Sequence, residues 1–448
     1  MQTLLLAIIM LGCVLAIRHW RWGLVVVILI GLIQDPLRKM IPGTPGIFAM
    51  SIVPVWLASL ASGLFSGELS PKVFFGSFPR LGRWIVIFIA YLIIPIAISA
   101  TYSTGSWQIT LLGIFIYSAA MLTLFAGYSG FKADADRVRF MAYYALLGSV
   151  FLVGGLLENA LGSDAHVALG TASMGTTWVT HRTGESVYML SGFFRGPDIM
   201  GWHASLVFMI AVVLAIRTKG IVRYLWIGLA IWALVGMWLC GRRKIISMIP
   251  IFGGYMIFLF FYYRNVRKLF SAIGLAIMIG GLGGHFISSY VYKTEVYDFY
   301  MTSFSEAGDQ IKRHGFDSVL GTVAQSGFWG HGLGMGQQGT HHIKVEKPRL
   351  WHESGPTKIV VELGVPGALI FVVIFFLLFR TCHAVLRHRA REPDFILTAG
   401  IISILVSNLV AAIVSAQIYT DPFIAFMLAL LTGMILSSVY YDSAGEKA

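Results

Sequence analysis

The residues of this 448-residue chain that are best suited to chemistry are three consecutive cations between two apolar runs. Gly241 is followed by Arg242, Arg243 and Lys244, and the next apolar run begins at once. A helix that starts here would place free backbone N–H groups and the positive end of its dipole beside three fixed charges. Because guanidinium groups bind phosphate oxygens two at a time, the turn predicts a phosphate-binding site. The alternative is that these side chains reach lipid phosphates and anchor the helix ends.

A further cation stands just before another apolar run. Arg195 is followed by Gly196, Pro197 and Asp198, and the apolar run that comes next contains His203. The neighbouring glycine and proline would present Arg195 rigidly near the membrane surface. It could form an ion pair with Asp198 or add a second phosphate contact, and His203 is a possible supporting residue.

A third group of reactive side chains enters an apolar run near residue 355. His352 and Glu353 precede it, and Glu362 lies about one turn inside it. Carboxylates within a membrane are costly and usually partnered. Lys358 lies four residues earlier on the same helical face, so a structural Lys358–Glu362 pair is the plain alternative to a functional role.

The remaining chemistry-bearing residues predict little. His341 and His342 are adjacent, which is not the spacing of a helical metal pair, so no metal ion or other cofactor is expected. The glycines from Gly327 to Gly336 suit tight turns and close backbone approach. Because no strand is predicted before them, a nucleotide-binding loop is a poor interpretation.

The elements that must position these residues are membrane helices. The chain is 57% hydrophobic and 12% charged, with mean hydropathy +0.77, whereas soluble proteins have about 25% charged residues. Residues 84–131 and 395–420 contain no Asp, Glu, Lys or Arg, and uncharged runs of this length are typical of membrane-spanning helices. Nucleic-acid binding, a soluble oxidoreductase and a disulfide-built secreted domain are therefore excluded.

The apolar runs predict an all-α polytopic membrane protein with 12–13 transmembrane helices, forming a single transmembrane domain over residues 1–448. The run at 22–34 is short, so it is predicted to span the membrane, to re-enter it or to lie at its interface. Two long loops are predicted at 158–198 and 289–358, and the second contains an amphipathic surface helix near 304–325. The other predicted spans lie near 2–17, 47–66, 84–99, 107–127, 140–157, 199–216, 222–240, 245–263, 269–288, 359–379, 395–417 and 422–441.

Charge in the loops predicts the orientation. Five alternate connections contain 16 Lys and Arg residues, and the positive-inside rule makes their side cytoplasmic, together with the C-terminus. Both long loops and the turn at 241–244 would then face the other compartment, unless the number of crossings is wrong by one. The five connections are 67–83, 128–139, 217–223, 264–268 and 380–394.

The order of these features resembles the O-antigen ligase and O-antigen polymerase family of bacterial inner-membrane glycosyltransferases of the GT-C type. The resemblance is strongest over residues 190–380, where the cationic turn precedes a long loop, His352-Glu353-Ser354 and Glu362-Leu363-Gly364-Val365-Pro366-Gly367. It implies transfer or polymerisation of an undecaprenyl-diphosphate-linked glycan at the periplasmic face, in O-antigen or exopolysaccharide synthesis. The acceptor would be a lipid or another glycan, and neither a metal ion nor a nucleotide sugar would take part.

The resemblance also implies roles for residues. Arg242 and Arg243 would bind the diphosphate, helped by Arg195 and Lys244, and His352 would be the base that activates the acceptor. The family histidine stands about nine residues before the glutamate of Glu-Leu-Gly, and here Glu353 occupies that position. Either the chain bulges by one residue, or Glu353 replaces the histidine as the base.

Two other classes remain open from the sequence. One is a membrane transporter of a small anion or polysaccharide, for which the ionisable or polar residues at depth would be His203, His285, Glu362 and Asn408. The other is a non-catalytic scaffold that binds polysaccharide assembly proteins. The enzyme interpretation predicts that Arg242 and Arg243 share an aqueous pocket with the segment around residue 352, on the non-cytosolic side.

Overall fold

A computed structural model describes residues 1–102, 105–182, 185–263, 318–337, 354–392 and 394–438, with five single positions between 270 and 279. These residues are mostly helical, and ten helical segments among them are long and apolar enough to cross a membrane. The prediction of an all-α polytopic membrane protein is therefore confirmed. The ten segments are Trp20–Lys39, Gly46–Phe65, Pro79–Ala100, Ser106–Gly130, Asp134–Leu161, Pro197–Arg217, Ile221–Leu239, Arg243–Tyr262, Gly355–Arg391 and Phe395–Val414.

The helices that matter for the candidate site are labelled in chain order. They are α1 (Gln2–Arg18), α2 (Trp20–Lys39), α3 (Ile52–Phe65), α4 (Pro71–Ser77), α5 (Pro79–Tyr91), α6 (Ile93–Ala100), α7 (Ser106–Gly130), α8 (Asp134–Leu161), α9 (Pro197–Arg217), α10 (Ile221–Leu239), α11 (Arg243–Tyr262), α12 (Ser318–Ser326), α13 (Gly355–His388), α14 (Phe395–Val414) and α15 (Pro422–Leu436). A β-hairpin of β1 (Val179–Arg182) and β2 (Glu185–Tyr188) pairs Val179 with Tyr188 in antiparallel register.

The chain forms two compact units, and the first comprises residues 1–65, 133–305 and 386–408. Helix α9 lies at the centre of this unit. Of its most apolar 18-residue stretch, 89% is buried, and the helix packs on α8, α10 and α11. Trp202 on α9 donates its indole N–H to Asn408 Oδ1 on α14 at 2.8 Å. A helix that is buried all round can carry polar side chains only where they find such partners.

One end of the first unit is an ion-pair network. Arg389 donates to both carboxylate oxygens of Asp134, the first residue of α8, and Arg137 also binds Asp134. Arg217, the last residue of α9, donates to Asp394 Oδ1 at 2.8 Å. These arginines belong to three of the five Lys- and Arg-rich connections that the sequence analysis identified.

The second unit comprises residues 66–132, 306–385 and 409–448. Helices α7 and α15 pack along their length and form its main helix pair. Residues 327–337 run as irregular backbone between α6, α7 and α13, where Leu333 N donates to Pro95 O and His331 N donates to Val361 O. Irregular backbone at membrane depth needs such internal partners.

The structure extends one predicted element and leaves others partly outside the described residues. The short run at 22–34 is part of α2, a 20-residue helix that continues past Pro36 to Lys39 and is long and apolar enough to cross a membrane. Of the amphipathic helix predicted near 304–325, the structure describes α12. Most of the span predicted at 269–288 lies outside the described residues, as do 281–317 and 338–353.

Candidate anion site

The turn between α10 and α11 holds the predicted cations. Gly241 has φ of +68°, and a Cβ there would lie 2.9 Å from Met189 Cγ, so only glycine fits. Arg242 is the extended N-cap of α11 and Arg243 is its first residue. Just before the turn, burial raises the pKa of the Cys240 thiol to about 12.

Loop residues 162–196 fold onto this turn. Leu190 N donates to Leu239 O at 3.3 Å, and the Arg242 guanidinium lies 5.4 Å from the centre of the Trp178 ring. The loop and the turn therefore meet at one end of α9 and α10. That end is opposite the Arg217–Asp394 pair along α9.

Asp198, on α9, is the acidic partner of the cationic turn. Helix α9 starts at Pro197, so Asp198 lies in its first turn, where the helix dipole favours an anion. Its Oδ2 lies 2.7 Å from Arg242 Nη2, and its Oδ1 lies 2.6 Å from Lys244 Nζ. One carboxylate therefore serves two cations from the start of α11.

Arg195 has a different partner from the one the sequence suggested. Its backbone N–H and its Nη1 donate to the two carboxylate oxygens of Asp35, at 3.1 and 3.4 Å. Asp198 is instead bound by Arg242 and Lys244, so the Arg195–Asp198 pair, one of the two roles considered for Arg195, is not formed. Asp35 lies near the end of α2, and its side chain is almost fully buried.

Two more buried charges hold the loop that carries Arg195. Lys39, on α2, donates to the carbonyls of Gly192 and Phe194 at 3.0 and 2.5 Å. Glu158, on α8, accepts the N–H groups of Ser191 and Gly192 on one oxygen, at 2.9 and 2.6 Å. Asp35, Lys39 and Glu158 are called the cradle below. It fixes the backbone of residues 191–195 by charge-assisted hydrogen bonds.

His203 packs against this loop. It is buried on α9, and its Nδ1 lies 2.9 Å from the Tyr144 hydroxyl. Its ring stacks on Phe194 with the centroids 4.6 Å apart. His203 therefore contacts the residue next to Arg195.

A separate polar cluster lies in the second unit, around Glu362. This carboxylate is fully buried and accepts hydrogen bonds from Tyr117 Oη at 2.7 Å, Gly336 N at 3.0 Å and Gln337 Nε2 at 3.3 Å. Lys358, one turn earlier, is also buried and interacts with it electrostatically. The sequence identified Lys358 as a partner, but not the three hydrogen-bond donors.

The glycines before Gln337 allow the backbone of residues 327–337 to approach α13 closely. Gly330 has φ of +73°, and a Cβ there would lie 2.7 Å from both Gly364 N and Val361 O. Helix α13 is interrupted at Gly364, where φ is +68°. The backbone groups beside this interruption find partners outside the helix. Val365 N donates to Phe328 O, and Leu363 O accepts from Tyr91 Oη.

The candidate bases His352 and Glu353 lie outside the described residues. The expected pocket that joins Arg242 and Arg243 to their segment therefore stays a prediction. Across the part of the chain that is described, no group of three or more His, Cys, Asp or Glu side chains could hold a metal ion.

The sequence contained some signal for the cradle. Asp35 and Lys39 are four residues apart at the end of an apolar run, and Glu158 is the acidic residue at the end of another. These positions look like solvated helix ends. Their burial depends on how the loop folds back, which one sequence does not reveal.

The fold and this site define a class: a multi-pass α-helical membrane protein with a half-buried cationic cluster at one end of its helices. Comparison with known proteins adds no particular relative. No family model matches the chain, and no curated protein matches it significantly.

Proposed function

We propose that this protein is a glycosyltransferase that transfers or polymerises an undecaprenyl-diphosphate-linked glycan in cell-envelope polysaccharide synthesis. The observation that carries the proposal is the sharing of Asp198 by Arg242 and Lys244 at the start of α11. The resemblance described above supplies the reaction, the lipid-linked donor and the lipid or glycan acceptor.

The electrostatics of the turn favour a phosphate ligand over a purely structural role. Cations at a helix N-terminus oppose the helix dipole, so three in a row do not stabilise α11 by themselves. Asp198 offsets part of this charge. A diphosphate leaving group gains negative charge as the glycosidic bond breaks, and fixed guanidinium groups stabilise that charge most where it develops.

The orientation proposed is the one that the loop charges predict. The cluster lies at the end of α9 away from Arg217, and the connection containing Arg217 is among those rich in Lys and Arg. We therefore assign the site to the periplasmic face of a bacterial inner (cytoplasmic) membrane, with the C-terminus in the cytoplasm. His352 or Glu353 would accept the proton of the acceptor hydroxyl.

The test is incubation of the purified protein with a lipid-diphosphate oligosaccharide and each acceptor. Chain extension would indicate a polymerase, and transfer to lipid A core would indicate a ligase. Arg242→Gln should lower product formation about 100-fold or more, because a transition-state charge contact is lost. Arg139→Gln is the matched control, since the Arg139 side chain is 80% exposed at the other end of α8. Equal activity of both variants would refute the proposed role of Arg242.

A transporter is the second candidate, and Glu362 favours it. A fully buried carboxylate inside a membrane-spanning helix is a recurrent feature of ion and proton pathways. Uptake of a labelled anion into proteoliposomes, lost in Glu362→Gln and absent from empty vesicles, would make this the better assignment. A protein that binds the lipid donor yet never transfers sugar would instead be a scaffold.

A further inference from the structure

Arg38 is a buried cation in the last turn of α2. Arg38 is only 5% exposed, and its Nη2 donates a hydrogen bond to Met174 Sδ at 3.6 Å. Its Nε has no hydrogen-bond partner among the described residues. A thioether sulfur is a weak acceptor, and a buried guanidinium is stable only when oxygen acceptors and a counter-charge compensate it.

The carboxylates near Arg38 are already engaged. Asp35 accepts hydrogen bonds from Arg195 on both of its oxygens. Glu158 accepts two backbone N–H groups and interacts electrostatically with Lys39. Arg38 interacts with Asp35 and also with the like charge of Arg195. Asp35 and Glu158 are thus the two anions of a buried cluster that contains three cations, Arg38, Lys39 and Arg195.

A second buried polar group lies one turn away. Gln34 precedes Arg38 by four residues, so both side chains lie on one face of α2. Its Oε1 also has no hydrogen-bond partner in the described part of the chain. A donor and an acceptor on one helical face suit a ligand that carries both an oxyanion and a hydroxyl, as a charged sugar does.

We infer that Arg38, beside Arg195, forms a second oxyanion subsite, which takes a phosphoryl or carboxylate group of the glycan substrate. The inference rests on the proposed function for its substrate, and it is separate from the contact at Arg242. The cradle holds Arg195 from one side, and Arg38 supplies the excess charge. A guanidinium that is already buried has less side-chain freedom to lose, so it binds an oxyanion with little further ordering.

The test uses the purified full-length protein and two soluble probes at matched ionic strength. Sodium pyrophosphate represents the phosphoryl source and sodium glucuronate the carboxylate source, and calorimetry gives both affinities. Arg38→Gln should weaken at least one probe about tenfold or more, since a charge-assisted contact is removed. Arg21→Gln is the control, because Arg21 is exposed at the start of the same helix and should change neither affinity.

Further variants keep the inference open to refutation. Arg38→Gln and Arg21→Gln are also made in an Arg242→Gln background. In that background the probes can no longer bind through Arg242, so any remaining change in affinity comes from Arg38. If Arg38→Gln does not fold, Arg38→Lys keeps the charge but loses the two-pronged contact, and it should still weaken binding severalfold. Unchanged affinity for both probes in the folded variant would overturn the subsite.

The transfer assay on these variants separates the two proposals. Loss of probe binding in Arg38→Gln, in a protein that never transfers sugar, would keep the subsite and remove the proposed function. Loss of transfer in Arg242→Gln, with normal probe binding in Arg38→Gln, would do the reverse.

Discussion

Lys39 offers the sharpest test of the cradle, because a single substitution removes a buried charge together with its two hydrogen bonds to the loop. The Lys39→Met change keeps the length and apolar stem of the side chain but deletes the ammonium group. Lys39 is 2% exposed, and its ammonium binds the carbonyls of Gly192 and Phe194 beside the charge of Glu158. After the change, both carbonyls lose their charged donor, and the buried carboxylates of Asp35 and Glu158 lose a nearby cation.

The expected loss follows from that geometry. A hydrogen bond to a charged group contributes about 1.5–3 kcal/mol, so losing both Lys39 contacts should cost about 3 kcal/mol or more. The double variant Lys39→Met/Glu158→Gln should recover only the electrostatic part of this loss that comes from Glu158. Both loop N–H groups bind the same Glu158 oxygen, so a glutamine oxygen can replace it without a charge.

The assay is equilibrium unfolding in mixed micelles, followed by limited proteolysis of the folded protein within residues 162–190. Lys39→Met should lower the free energy of unfolding and speed cleavage of the loop, while the double variant lies between it and the wild type. Lys72→Met is the control, since Lys72 is exposed on α4. A loss below about 1 kcal/mol for Lys39→Met, the level of a surface ion pair, would refute the cradle.

Three further predictions test other parts of the fold. Gly330→Ala should abolish folding, because the new Cβ would clash with Gly364 N and Val361 O. Gly327→Ala has nearly the same positive φ but open space around the new Cβ, so it should cost only about 1 kcal/mol of stability. Equal yields of folded protein for the two variants would contradict the packing against Gly364. Glu362→Ala should destabilise more than Glu362→Gln, by about 2 kcal/mol or more, because three buried donors lose their acceptor; unfolding that is the same for both would count against the network. A protein whose only thiol is Cys240 should resist maleimide at pH 8 until it is unfolded, because its pKa of about 12 leaves almost no thiolate; rapid labelling of the native protein would show that the thiol is exposed.

Much of the fold follows from apolar run length alone. Uncharged runs are directly visible in the sequence, and the described residues contain spanning helices at nearly all of the predicted positions. Helix α2 is longer than its predicted run at 22–34, because its polar end at Asp35, Arg38 and Lys39 resembles a solvated helix terminus. Residues in such a position can be recognised as buried only when the covering loop is seen.

The candidate site was predictable in part. The cations at 242–244 stood out because they break the loop charge pattern, and Gly241 marked the turn. Their acidic partner could not be assigned, because Asp198 is closer in sequence to Arg195 but closer in space to Arg242. Long-range pairs of this kind are set by how helices and loops pack, and no local spacing encodes them.

The central claim is that the cationic cluster at Arg242 takes a lipid diphosphate on the face away from the cytoplasm. Sealed proteoliposomes of known orientation, given the lipid-linked donor in one leaflet at a time, test this directly. Product should form only when donor and acceptor are on the side of the 162–196 loop, and Arg242→Gln should remove it. Transfer from the opposite leaflet, or transfer that does not depend on Arg242, would contradict the account.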